Sequence, residues 1–426
     1  PGKSPYRSGP TSRGSSSLRR GVADPPYAES MIHMLKGSIG AGMLAMPNAI
    51  SRLGIIIGPV GIILIAAYAT YCLLLLVDAQ YQVCKKSRRG YIPYPECVQL
   101  AVESGPPCLR RMAGPLGSSV DVFLFIFQIG VGAIFCVFVS ETIKQVMHVL
   151  YLLALYLLTF LKLYLLFVKD LKRLTIFSSI ANLSVMLGVF LLFFYLIEDD
   201  VEIHESQLAV KGIIDIPIFI GMVLFALQAP GVVLAVEHNM EKPGQFVGPF
   251  GLLSIVMVVI SILYAAIGLF GFFKYGEECK GSITLNLPAH EKKAQAAKVL
   301  VALSIYLSYP LQNYVAWEIL WRKVSTKPKN ATKGKDYFLR FLACTLPFCG
   351  AVASPNLGAM MGLIGALCIS VVAIILPAVM DMCIYYPNNY GSAQYKLIVD
   401  ILIMLSGIFC CCSGAFTSLR EMIGET

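Results

Sequence analysis

An apolar segment near the start of the chain carries three glycines within six residues and reads Ile32-His33-Met34-Leu35-Lys36-Gly37-Ser38-Ile39-Gly40-Ala41-Gly42-Met43-Leu44. Each glycine lowers the stability of a helix interior by about 1 kcal/mol relative to alanine. A second apolar segment is interrupted at Phe225-Ala226-Leu227-Gln228-Ala229-Pro230-Gly231. Pro230 lacks an amide hydrogen and clashes with the preceding turn, and Gly231 follows it directly. The two segments therefore predict two helices that are broken near their middle.

The composition is that of a protein embedded in lipid. Hydrophobic residues make up 57% of the 426 residues and charged residues only 14%, whereas soluble globular chains carry about 25% charged residues. Lipid leaves every backbone amide to be satisfied within the protein, so only helix bundles and closed barrels span a bilayer. The apolar runs, such as 55–77 and 246–273, are continuous rather than alternating. The sequence thus predicts an all-α membrane protein.

Windows of about twenty apolar residues predict about eleven transmembrane helices. They lie at 30–51, 54–82, 115–147, 149–168, 173–197, 211–236, 246–274, 295–320, 336–354, 358–385 and 394–417. We expect residues 1–28 to form a disordered cytosolic tail and residues 29–426 to form one transmembrane domain. The broken segments are helices 1 and 6, and each is the first helix of a half of five helices, 30–197 and 211–385. The segment 394–417 is one extra helix. Paired breaks at corresponding positions predict a 5+5 inverted repeat with a binding site near the bilayer midplane.

Lysine and arginine are concentrated in segments that fall on one side of the membrane if there are eleven helices. These segments are the tail and the regions 85–111, 169–173 and 322–335, while the acidic run 198–202 falls on the other side. The asymmetry predicts a cytosolic N-terminus and an extracellular or luminal C-terminus. We expect the protein to lie in the plasma membrane or an endolysosomal membrane.

The broken helices also predict the chemistry of the site. Unwinding exposes amide hydrogens near 40–43, which suit a carboxylate, and carbonyl groups that suit an ammonium group or a cation. Glycine lets a small solute approach the backbone, so an α-amino acid or a close relative is the predicted substrate. We expect the contacts to come from Gly37, Ser38, Ile39, Gly40, Ala41, Gly42, Phe225, Gln228, Ala229, Pro230 and Gly231. The alternative is close helix packing, since small residues at four-residue spacing also make helix contacts.

Three stretches resemble one known family, the proton-coupled amino acid transporters. Residues 33–44 are similar to its pattern His-Leu-Leu-Lys-Gly-Asn-Ile-Gly-Thr-Gly-Leu-Leu, residues 281–288 resemble another of its stretches, and residues 232–240 resemble the end of its sixth span. The resemblance implies the fold of the amino acid–polyamine–organocation superfamily and a solute carrier that moves amino acids, often by symport with protons. This chain departs from the family pattern at Gln228, because the family commonly has Glu-Gly within the sixth span, where this chain has Gln228-Ala229-Pro230-Gly231.

His33 is the ionisable residue that the sequence singles out for proton coupling. It precedes Gly37 by one helical turn, and histidine is the side chain whose charge changes near physiological pH. By the resemblance, it matches the histidine implicated in proton coupling in the family. The alternative is a neutral histidine bonded to a neighbouring helix.

These features predict a secondary active transporter of small neutral amino acids that works by alternating access, with His33 coupling it to protons. The alternative, from another class, is an amino-acid-sensing membrane receptor with little or no flux, which recruits cytosolic signalling partners through the tail and the basic loop 322–340. An enzyme is not predicted, because no nucleophile–base set and no metal cluster is visible in the sequence. No cofactor, metal ion or nucleic acid partner is expected.

Overall fold

The computed structural model describes residues 27–38, 40–147, 171–197, 212, 214–227, 230–240, 243–248, 250–288, 290–324, 333–387, 390 and 394–424. Its helices, in chain order, are α1 (Tyr27–Ser38), α2 (Ala41–Leu44), α3 (Met46–Ser87), α4 (Tyr94–Glu103), α5 (Pro107–Arg110), α6 (Ala113–Met147), α7 (Leu171–Ile197), α8 (Asp215–Leu227), α9 (Pro230–Asn239), α10 (Leu252–Tyr275), α11 (Lys292–Val324), α12 (Lys333–Ala353), α13 (Leu357–Ile384) and α14 (Tyr395–Ile423). Eight helices among these residues are long and apolar enough to cross a membrane. The predicted span 149–168 lies outside the described residues, so the total of eleven stays a prediction.

Helix α3 contains both the end of the first predicted span and the whole of the second. The chain bends between them at Gly54, whose φ of 80° lies in the left-handed region that glycine adopts without steric cost. The helix then runs on to Ser87, five residues beyond the predicted end at 82, because the polar residues of its last turns continue the helical hydrogen bonding.

Two helices begin at residues other than those predicted. Helix α1 begins at Tyr27, three residues before the predicted span 30–51. Helix α10 begins at Leu252 and not at 246, because the chain turns at Gly248, where φ is 125°. A Cβ atom at Gly251 would lie only 2.6 Å from the Phe246 carbonyl oxygen, so this turn is too tight for a larger residue. Apolar composition alone does not distinguish such a turn from a helix.

The broken helices lie at the centre of the bundle. Helices α2 and α8 pack on each other, α1 contacts α9 and α10, and α3 runs along both α8 and α10. Helix α13 packs on α8 from another side and is itself covered by α14. Between Gly365 and Ile375, helix α13 winds as a π-helix, a geometry that occurs mostly at functional sites.

Candidate functional site

The first helix break lies where the glycine-rich segment predicts it. Helix α1 ends at Ser38, and α2 begins at Ala41 after Gly40, whose backbone is extended (φ −164°, ψ −158°). The Ser38 hydroxyl donates to the Met34 carbonyl oxygen at 3.1 Å and so closes the last turn of α1. The position of Ile39, between the two helices, lies outside the described residues.

The second predicted break falls between α8 and α9. Helix α8 ends at Leu227, and α9 begins at Pro230, with Gly231 in its first turn. A proline is tolerated at the first position of a helix because its missing amide hydrogen would have no partner there. Gln228 and Ala229 lie outside the described residues. The break in helix 1 is confirmed by the extended backbone of Gly40, and the break in helix 6 stays a prediction.

The two breaks are next to each other. Gly42 in α2 faces Ala226 near the end of α8, and a Cβ atom at Gly42 would lie 2.5 Å from the Ala226 Cα atom and 2.9 Å from its Cβ atom. No side chain fits at that distance. Gly42 therefore allows the two broken helices to touch, which is the packing role that the sequence left open as an alternative.

Gly40 has a different environment from Gly42. A Cβ atom added at Gly40 would meet no atom of a described residue within 4 Å. The two glycines thus have different roles, because Gly42 lets the half-helices touch, whereas Gly40 has no described atom against its Cβ position. Ala41, between them, is buried.

Tyr264 connects the two breaks, and the sequence analysis missed it. This fully buried residue of α10 places its hydroxyl oxygen 2.6 Å from the Ser38 carbonyl oxygen and 2.9 Å from the Ala226 carbonyl oxygen. A break leaves such carbonyl groups without their helical amide partners, and the tyrosine hydroxyl supplies a donor. The signal that could have found it is a tyrosine within an apolar span, since a buried tyrosine hydroxyl needs a partner.

The remaining predicted site residues are brought together only in part. Phe225 precedes Ala226 in α8, is fully buried, and has its ring centroid 6.1 Å from that of Phe127 in α6. Gly37 lies in the last turn of α1, next to the break. His33 lies one turn earlier in the same helix, and its side chain is outside the described part of the structure.

A charged cluster lies beyond the breaks on the side of α2. Arg52 of α3 donates two hydrogen bonds of 2.8 Å to the Glu421 carboxylate of α14. Asp215, the first residue of α8, lies 3.6 Å from the same guanidinium group, and Asn356 donates to Glu421 at 3.2 Å. The cluster therefore ties the continuation of helix 1 to the start of helix 6 and to α14, and closes this end of the bundle.

The opposite end is closed by a second set of polar contacts. The Tyr81 hydroxyl of α3 donates to the Glu237 carboxylate of α9, and Arg322 of α11 pairs with Asp121 of α6. Glu237 is buried just beyond the predicted span, and burial raises its pKa, while the hydrogen bond from Tyr81 opposes that rise. The breaks thus lie between two sets of polar contacts. Among the described residues, no group of His, Cys, Asp or Glu is arranged to hold a metal ion.

The chain is similar to known proteins over almost its whole length. Residues 27–420 match the family described as transmembrane amino acid transporter protein. The chain is 32% identical to the proton-coupled amino acid transporter-like protein pathetic of Drosophila melanogaster, over 93% of this chain and 85% of that protein. It is 23% identical to the probable amino acid transporter skat-1 of Caenorhabditis elegans, over 92% of this chain and 89% of that protein.

A solved structure shares the fold. It is the closed conformation of Mhp1, a nucleobase-cation-symport-1 family transporter, with bromovinylhydantoin bound. The TM-score is 0.51 at 16% identity, and the match covers 96% of this chain and 95% of that one. At this identity the likeness shows the fold alone, and it confirms the predicted all-α transporter architecture.

Proposed function

The chain belongs to the family of transmembrane amino acid transporters, and we propose that it carries small neutral amino acids by alternating access, with the two helix breaks as the substrate site. It is an integral membrane protein and not an enzyme. One observation carries the proposed location: the Tyr264 hydroxyl is bonded to a carbonyl group at each break. That contact unites two interruptions far apart in the sequence into one polar position inside an apolar bundle.

The backbone at the breaks suits a zwitterion. The substrate carboxylate would meet the amide hydrogens at the start of α2, and the ammonium group would meet carbonyl groups such as those of Ser38 and Ala226. Tyr264 is then a positioning residue that holds these carbonyl groups. Preorganised dipoles of this kind bind charge well where water is excluded.

The side chains at the breaks favour a small and uncharged substrate side chain. Ser38, Ala41, Phe225 and Ala226 carry no charge that could pair with an ionic substrate side chain. No described atom lies within 4 Å of a Cβ position at Gly40, while Gly42 is packed against Ala226, so we expect room for a small side chain only. Proton coupling through His33 is part of the proposal and is supported by the place of this residue one turn before the break.

Uptake of radiolabelled alanine into vesicles that contain the purified protein tests the transport proposal. Gly40→Ala adds one methyl group where the structure has room for it, so folding should be preserved while the substrate loses space. We expect KM to rise by about 5- to 30-fold, which corresponds to about 1–2 kcal/mol of lost contact. Gly114→Ala in α6 is the matched control, because a Cβ atom there also meets no described atom within 4 Å.

The outcomes separate the alternatives. Absence of uptake for every amino acid tried with the unmodified protein would contradict transport, and binding without uptake would favour the amino-acid-sensing receptor. If Gly40→Ala behaves like Gly114→Ala, the substrate does not lie at the first break. We further propose that the N-terminus is cytosolic, with the C-terminus on the extracellular or luminal side of a plasma or endolysosomal membrane.

A further inference from the structure

Two aspartates lie opposite each other inside the bundle, away from the helix breaks. Asp381 is near the end of α13 and Asp400 is in the second turn of α14, and their exposed fractions are only 4% and 2%. The two carboxyl groups are close enough to interact with each other. The described contacts of the breaks do not include either residue.

Asp400 is short of a hydrogen-bond donor among the described residues. An ionised carboxylate only accepts hydrogen bonds, so two ionised aspartates cannot bond to each other. The Asp400 Oδ2 atom is fully buried and has no partner among the described residues. A proton shared between the two carboxyl groups would supply the missing donor and remove one of two adjacent buried charges.

Other polar groups surround the pair on each element packed against it. Helix α3 presents Tyr71, Asp78 and Lys86, the segment after α13 presents Tyr385 and Tyr390, and α14 presents Tyr395 and Lys396. On the side of α4, the Tyr94 hydroxyl donates to the Val372 carbonyl oxygen at 2.6 Å.

The two lysines near the pair have other contacts. The Lys86 ammonium group donates to the Ile384 carbonyl oxygen at 2.9 Å, and the Lys396 ammonium group lies 3.9 Å from the centroid of the Tyr385 ring. Three carboxyl groups, those of Asp78, Asp381 and Asp400, therefore lie in this corner beside the ammonium group of Lys396, which contacts the Tyr385 ring. Two touching carboxyl groups in a buried site do not both ionise, so the site requires a proton.

We propose that the Asp381–Asp400 pair is a proton-binding site of the transporter, separate from the substrate site, which takes up and releases one proton during the transport cycle. Asp78, Tyr385 and Lys396 are only half-buried and connect the pair to the nearer end of the bundle. The pair joins α13 to α14, and α13 also packs on α8, one of the broken helices. The π-helical segment of α13 itself packs on both α8 and α14, so movement at the breaks alters the surroundings of the pair. This coupling to transport rests on the proposed function.

Infrared spectroscopy of the purified full-length protein tests the site without any transport. The C=O stretch of protonated carboxyl groups is followed as pH is varied, for the unmodified protein, Asp400→Asn, Asp381→Asn and the control Asp336→Asn. Asparagine keeps the shape of aspartate and can donate to the remaining carboxyl group, so it imitates a permanently protonated partner. Asp336 is suited as a control because it pairs with Arg340 within its own helix, 2.9 Å away.

We expect a carboxyl band that titrates in the unmodified protein and in Asp336→Asn and that is absent from both pair variants. A band that persists in Asp400→Asn and Asp381→Asn overturns the assignment. A band that is lost in these variants but does not change with pH in the unmodified protein shows a fixed structural proton, and also overturns it.

Accumulation of alanine in vesicles tests the role in the cycle. With one proton per substrate and no membrane potential, a gradient of one pH unit drives at most about tenfold accumulation, since one pH unit is a tenfold ratio of protons. We expect accumulation with the unmodified protein and none with Asp400→Asn, while exchange of labelled for unlabelled alanine at equal pH continues.

The two levels of the proposal can fail separately. Accumulation by Asp400→Asn equal to that of the unmodified protein overturns the proton site, and so does unmodified protein that exchanges alanine but does not respond to the gradient. Failure of the unmodified protein to transport any amino acid refutes the proposed function instead. In that case the infrared titration still decides whether the pair binds a proton.

Discussion

Replacement of Tyr264 by phenylalanine is the most direct test of the link between the two breaks. The substitution removes one hydroxyl group and keeps the ring in a fully buried position. The Ser38 carbonyl oxygen, 2.6 Å away, and the Ala226 carbonyl oxygen, 2.9 Å away, lose their donor together. The expected consequence is a loss of order at both breaks rather than a cavity.

The size of the effect follows from the number of hydrogen atoms. A hydroxyl group has one hydrogen, so one hydrogen bond is lost although two carbonyl groups are affected. A neutral hydrogen bond contributes about 0.5–1.5 kcal/mol, and leaving a buried acceptor unpaired costs about 1–3 kcal/mol. We therefore expect a total cost of about 1–3 kcal/mol, which shifts an equilibrium by about 5- to 150-fold.

The assay is initial uptake of alanine into vesicles together with thermal unfolding of the purified protein. Tyr264→Phe should lower kcat/KM by at least about fivefold, and it should lower the unfolding temperature. Tyr306→Phe in α11 makes the same chemical change away from the breaks and should leave both quantities near those of the unmodified protein. If Tyr264→Phe matches Tyr306→Phe in both measurements, the hydroxyl group does not organise the site.

Two further predictions concern the cluster at Arg52 and the residue His33. Glu421→Gln weakens the bidentate pair between Arg52 and Glu421, whose side chains are 14% and 21% exposed. For such a partly solvated pair we expect a loss of about 1 kcal/mol. An impermeant maleimide added on the side of this pair should then label Gly40→Cys about fivefold faster. The protein used for labelling would carry serine at the exposed Cys108, Cys349 and Cys412. The control Glu96→Gln breaks an exposed pair with Arg89 and should leave the labelling rate unchanged. Equal labelling rates for Glu421→Gln and Glu96→Gln would argue that the Arg52–Glu421 pair does not close this end of the bundle. His33→Ala should weaken the dependence of uptake on external pH while exchange at equal pH continues, because the Asp381–Asp400 pair still binds its proton. A pH profile like that of the unmodified protein would reject a part for His33 in coupling.

Local chemistry explains why the fold class and both breaks could be predicted. A proline followed by glycine interrupts a helix wherever it lies in the bundle, and the low share of charged residues excludes a water-exposed surface. Each of these effects acts within a few residues or over the composition as a whole. The start of α10 is predicted too early, because a window of about twenty residues averages over the turn signal Gly248-Pro249.

The sequence alone established that this protein is an all-α membrane protein with two interrupted helices, because those properties depend on composition and on neighbouring residues. Only the tertiary structure decided what the interruptions touch. Tyr264 meets Ser38 across 226 positions of sequence, and Arg52 meets Glu421 across 369. No periodicity specifies such pairs, since they depend on how whole helices pack. The same packing places Gly42 against Ala226 and leaves no described atom within 4 Å of a Cβ position at Gly40. The sequence alone does not distinguish these two glycines.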